Sequence, residues 1–124
     1  MENKNSVMLI VDDEVGILRT FKEVFELRGW RVFTAPFGQP ASVILEKEKI
    51  DIMLLDIRLP GKSGIELLKE IKIKYPDLPI IMITGLGYED QLVNEALCSG
   101  AAGYVSKNVS IRELIEVVNN AMAK

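Results

Sequence analysis

Two periodicities alternate along the 124-residue chain. Apolar runs of strand length cover residues 7–11 (VMLIV), 30–35 (WRVFTA), 50–56 (IDIMLLD), 79–84 (PIIMIT) and 103–106 (GYVS). Several are apolar at successive positions, the pattern of a strand buried on both faces. Between them the spacing becomes helical. Val15, Leu18, Phe21 and Val24 or Phe25 share a face over 14–28, and Ile65, Leu68, Ile71 and Ile73 do so over 63–75. A last helix, capped by Ser110 and reaching Ala121, turns Ile111, Leu114, Ile115 and Val118 inward. Shorter helices are predicted at 41–48 and 88–99. Gly29 and Gly100 act as helix stops, Pro76 ends the third helix, and 36–40, bounded by two prolines, reads as a break.

Five strand–helix repeats with strands apolar on both sides predict a parallel sheet covered by helices on each face, a doubly wound α/β sandwich with right-handed crossovers. The length suits one such domain over 1–124, with no repeat or linker inside it. The polar MENKNS start and a first apolar run of five residues predict neither a signal peptide nor a membrane span.

Composition narrows the chemistry. The chain has no histidine, which excludes His-based acid–base catalysis, Ser-His-Asp triads and the commonest transition-metal sites. Its one cysteine, Cys98, cannot form an internal disulfide; on a largely apolar helix it is expected as a packed thiol in a reducing cytoplasm. A formal charge of −3 without a basic block argues against nucleic acid or an anionic membrane as a direct partner.

The strand ends carry the remaining chemistry. The stretch 52–64, IMLLDIRLPGKSG, delivers Asp56 at the end of a buried run, where an uncompensated charge is costly. In an open parallel sheet, functional groups gather beyond the carboxyl ends of the strands, and those ends hold Asp12 and Asp13, Asp56, Thr84 and Lys107. Carboxylates crowded in one cleft call for a hard cation. Oxygen ligands without His or Cys favour Mg²⁺, with Asp13 and Asp56 as direct ligands, Asp12 through water, and the Arg58 backbone carbonyl as a third protein contact. A carboxylate beside Mg²⁺, facing an ammonium and a hydroxyl, suits phosphoryl transfer onto Asp56. Lys107 and Thr84 would then meet the phosphoryl oxygens.

Taken in order, VDDE (11–14), DIRLPGKSG (56–64), ITG (83–85) and YVSK (104–107) make the chain resemble the receiver domains of bacterial two-component response regulators over its whole length. The resemblance implies a flavodoxin-like sandwich with strand order 2-1-3-4-5 and phosphorylation of Asp56 by a sensor histidine kinase, a phosphotransfer protein or a small phosphodonor. It implies that Tyr104 turns inward as Thr84 moves toward the phosphoryl group. The face made by the fourth helix, fifth strand and last helix would then change for an effector domain or target protein, and a phosphorylation-dependent homodimer is among the implied partners. Arg58 and Leu86, two residues beyond Asp56 and Thr84, occupy positions that border the phosphoryl group in the family, and a leucine there implies slow self-dephosphorylation. Asn108 departs from the family's usual proline, so a trans bond after Lys107 is expected.

The chain is accordingly expected to assist only its own phosphorylation and dephosphorylation. A Mg²⁺-dependent phosphatase with Asp56 as nucleophile would want a second aspartate two residues on, where Arg58 stands. A flavin or nucleotide binder would meet repulsion from Asp12, Asp13 and Glu14. A docking receiver that is never phosphorylated would have no use for a complete acceptor set.

Overall fold

Strands apolar on both faces can be buried only in the middle of three layers, and that is where these lie. The computed structural model describes residues 6–85 and 90–123. Strand and helix alternate as β1 (Val7–Val11), α1 (Val15–Glu26), β2 (Arg31–Ala35), α2 (Gly38–Lys47), β3 (Ile52–Asp56), α3 (Gly64–Lys74), β4 (Ile80–Thr84), α4 (Asp90–Cys98), β5 (Gly103–Ser106) and α5 (Ile111–Met122). The five strands are parallel in the order β2-β1-β3-β4-β5, the flavodoxin-like arrangement expected. Strand order reverses between β1 and β3, so the crevice that functional groups occupy in such sheets lies at their carboxyl ends.

Side-chain alternation divides the interior into two cores. Leu9, Val11, Met53, Leu55, Ile80 and Met82 face one side, where α2, α3 and α4 cover them with Leu45, Leu67, Leu68, Val93 and Ala96. Met8, Ile10, Ile52, Leu54, Ile81, Ile83 and Val105 face the other, under Phe21 and Phe25 of α1 and Leu114, Val118 and Ala121 of α5. Trp30, just ahead of β2, is buried edge-on against Phe25 with ring centroids 5.9 Å apart.

Several local expectations are corrected. Helix α2 begins at Gly38 rather than residue 41 and includes Pro40. Pro40 is its third residue, where the missing N–H has no intrahelical acceptor to lose. Strand β3 begins at Ile52 rather than residue 50, and Asp51 instead accepts the Val7 N–H on its carboxylate. Cys98 is exposed, not packed. It lies two residues past the buried Ala96, and a step of about 200° carries it to the far side of α4. Ile73 fails for the same reason, two residues past Ile71, and is 85% exposed. Ile111, at the first residue of α5, precedes the first buried position, Leu114, and is also exposed. The described residues contain no cis peptide bond, so the bond between Lys107 and Asn108 is trans, as expected. The Asn108 N–H, which a proline would lack, donates to Ser106 Oγ at 3.1 Å. No described helix is long and apolar enough to cross a membrane.

One glycine fixes how the chain leaves β3. Gly64 opens α3, capped by Ser63, and its N–H donates to the Ile57 carbonyl at 2.8 Å. A Cβ at Gly64 would lie 2.0 Å from the Asp56 backbone oxygen, and backbone cannot swing aside as a side chain can. Gly64→Ala is expected to destabilise the chain by about 3 kcal/mol or more in urea unfolding. Gly16→Ala, at a position where a Cβ meets nothing within 4 Å, should leave it at or above parental stability.

Candidate functional site

Parallel pairing brings the strand ends into line. Val11 pairs with Leu55 and Ala35, Asp56 with Ile83, and Thr84 with Ser106. Backbone bonds continue past the ladder: the Asp12 N–H donates to the Ala35 carbonyl at 3.1 Å, Ile57 to Ile83 at 3.0 Å, and Lys107 to Thr84 at 2.8 Å. These bonds extend the ladder one residue past β1, β3 and β5, fixing the backbone at Asp12, beside Asp56 and at Lys107.

Asp12 and Asp56 are the buried acidic residues of the chain's described part, one fully enclosed and the other 2% exposed. Asp56 Oδ1 accepts the Arg58 N–H at 3.1 Å, and its Oδ2 lies 3.2 Å from Lys107 Nζ. Asp12 Oδ1 accepts the Glu14 N–H at 2.8 Å and lies 3.4 Å from the same ammonium. Asp12 Oδ2 is buried with no hydrogen-bond partner among the described residues. Carboxylate oxygens of Asp12, Asp13 and Asp56 lie within 4.8 Å of one another.

Burial, opposed in part by neighbouring charge and amides, accounts for the titration of this group. Burial is the main force on Asp12 and raises its pKa from 3.8 to about 6; the Glu14 amide opposes this, the charge of Asp56 adds to it, and Lys107 offsets part. Burial likewise raises Asp56, against the Arg58 amide and Lys107. At Lys107 burial disfavours the ammonium, but the Glu14 contact together with Asp12 and Asp56 outweighs it, so the charge is held well above its usual range. One ammonium therefore only partly compensates two buried acids. An orphaned carboxylate oxygen inside an all-oxygen acidic group fits a hard cation.

Thr84 and Tyr104 make no hydrogen bond to this group among the described residues. Thr84 Oγ1, at the end of the neighbouring strand, donates to the Val105 carbonyl at 3.3 Å. Tyr104 pairs with Met82 on the sheet face that α4 covers, yet remains 46% exposed. At Arg58 it is the backbone N–H that meets Asp56. Leu86 lies outside the described residues. Glu14, not assigned a place in the site from sequence, makes the shortest contact of all with Lys107, 2.6 Å from Oε1 to Nζ. Its signal was the third consecutive acid after the first strand, two residues beyond Asp12 on the same turn.

A doubly wound five-stranded sheet with an acidic crevice and a lysine at its carboxyl edge defines a receiver-type domain. A family model described as the response regulator receiver domain matches residues 8–119. Sporulation initiation phosphotransferase F of Bacillus subtilis is 37% identical over 92% of this chain and 91% of its own length. The response regulator SaeR of Staphylococcus aureus is 38% identical over 94% of this chain, which spans only 50% of that protein. A CheY-like response regulator receiver domain protein from Methanospirillum hungatei superposes with a TM-score of 0.88 at 31% identity, over 95% of this chain and 94% of that one. The chain belongs to the response regulator receiver domain family, and is a phosphorylation-dependent signalling receiver.

The raised pKa of Asp12 links this site to stability. Its folded value lies above the unfolded one, so protonated Asp12 contributes stability that is full below about 3.8 and is lost as pH rises through about 6. In cation-free protein, Asp12→Asn is therefore expected to raise the free energy of urea unfolding at pH 7.5 by on the order of 1–3 kcal/mol. That gain over the parent should shrink as pH is lowered from 6 toward 4.

Proposed function

We propose that Asp56 is the phosphoryl acceptor, assisted by Lys107 and Thr84, with Mg²⁺ held by Asp12, Asp13, Asp56 and the Arg58 backbone carbonyl. The observation that carries this reading is the approach of Lys107 Nζ to within 3.2 Å of Asp56 inside the group of three carboxylates. When bound, Mg²⁺ supplies positive charge against the phosphoryl oxygens and the acceptor carboxylate.

The residues do the rest. One Asp56 oxygen attacks phosphorus in line; the new O–P bond forms as the donor's P–N bond (phosphohistidine) or P–O bond (acetyl phosphate) breaks. The bonding pair departs on an imidazole nitrogen, which takes a proton from solvent, or on acetate. Lys107 holds a phosphoryl oxygen and offsets its charge. In the reverse direction of signalling, water attacks phosphorus, the Asp56 carboxylate is restored and inorganic phosphate leaves.

Thr84 then exchanges its bond to the Val105 carbonyl for one to a phosphoryl oxygen, and Tyr104 turns from its half-exposed position into the space Thr84 vacates. The change biases the face made by α4, β5 and α5 toward a state that an effector domain, a target protein or a second copy of the chain recognises. A sensor histidine kinase or phosphotransfer protein is the donor this reading calls for. The fold type and absence of basic blocks support a cytoplasmic signalling role rather than direct contact with nucleic acid or membrane.

Incubation with acetyl phosphate and Mg²⁺ followed by intact mass measurement should add one phosphoryl group to the parent and none to Asp56→Asn; an unmodified parent, or equal addition to both, overturns the assignment. Once formed, the acyl phosphate should be long-lived, because Leu86 offers no group to orient water. The double variant Arg58→Asn, Leu86→Glu is expected to lose phosphate several times faster in a chase free of donor.

A further inference from the structure

Lys107 is held by three acids, and its shortest contact is not with the acceptor. Nζ lies 2.6 Å from Glu14 Oε1, 3.2 Å from Asp56 Oδ2 and 3.4 Å from Asp12 Oδ1. An ammonium has three N–H donors, so these contacts occupy the full set, and an arriving phosphoryl oxygen must displace one. Asp12 and Asp56 are buried and belong to the group of three carboxylates. Glu14 does not belong to it, and its side chain is 58% exposed. It can turn into water at the lowest desolvation cost, so it is the partner that yields.

The local chain aims Glu14 at this lysine. Glu14 is the N-cap residue of α1, with extended backbone, yet its side chain makes no capping hydrogen bond. Its own N–H is taken by Asp12 Oδ1 at 2.8 Å. A closed ring therefore runs from Asp12 to the Glu14 backbone, along the Glu14 side chain to Lys107, and back to Asp12. The lysine side chain within that ring is only 15% exposed, unlike an ordinary surface ion pair.

We propose that Glu14 is a positioning residue: it holds Lys107 in the resting state, competes with the phosphoryl group for it, and so slows the loading of Asp56. The proposal rests on Asp56 being the acceptor. It separates from a general repulsion between Glu14 and phosphate by geometry, since aspartate at position 14 keeps the charge but falls one methylene short of the lysine.

The test compares the parent with Glu14→Gln and Glu14→Asp, each checked for an unchanged circular dichroism spectrum, at fixed ionic strength. Initial rates of phosphorylation by acetyl phosphate with Mg²⁺ should rise about three- to fivefold in both variants, the upper end of what an ion pair with one exposed partner supplies. Affinity for beryllofluoride with Mg²⁺, a non-covalent stand-in for the phosphoryl group read by NMR titration, should tighten by a similar factor. Parental rates and affinities in both variants overturn the proposal, and so does an increase in Glu14→Gln alone, which would leave charge without contact as the cause. A parent that takes up no phosphate would instead defeat the assignment of Asp56.

Discussion

A single ammonium reaches back 95 residues to Asp12 and 51 residues to Asp56, and much of the architecture can be understood from what it has to hold together. Two carboxylates at the buried ends of neighbouring strands would repel each other in a poorly solvated setting. Lys107 offsets part of this charge, but both acids still titrate above their ordinary range. The site is thus left with a standing demand for positive charge. Only a parallel sheet can place the carboxyl ends of β1, β3, β4 and β5 along one edge, which is why so much of the chain serves to build β-α crossovers around a handful of polar atoms.

The architecture was legible because its signals are one-dimensional. Runs such as VMLIV and IIMIT are apolar at every position, and each ends in or beside a polar residue that the sheet then brings to a common edge. Asp12, Asp13, Asp56 and Lys107 group in the sequence itself because each ends a strand or follows one within two residues. What escaped depended on angle or on side-chain reach. Cys98 and Ile73 lie on apolar-looking helices, but one residue's rotation about the axis decides whether a side chain meets the sheet, and helices α3 and α4 are too short for their stripes to be unambiguous. Pro40 looked like a barrier because a proline's cost depends on where in a helix it falls. Glu14 was visible as a third acid but could be read as a helix-start charge; that its carboxylate crosses to Lys107 follows only from the path of the loop after β5.

That loop also differs from the family's habit in a physical way. With asparagine in place of proline, its shape is held by the Asn108 N–H on Ser106 Oγ, a bond that can break and re-form, rather than by a rigid ring. Ser106 of β5 is paired with Thr84 of β4 across the ladder, so the lysine loop starts beside the threonine on the neighbouring strand.

The division of the interior into two cores has its own consequence at the edge of the sheet. The core beneath α4 and the core beneath α5 are separated by the sheet, and β5, four residues long and paired on one side only, is where the two layers end. Val105 belongs to one core while Tyr104 faces the other and is left half uncovered. Opening of this margin exposes far less apolar surface than opening of β3, whose residues are all buried. In terms of amide exchange, a molecule built this way should grade from a centre that opens only with global unfolding to a rim that opens at lower cost. A rim that opens at low cost is what a switching surface would require.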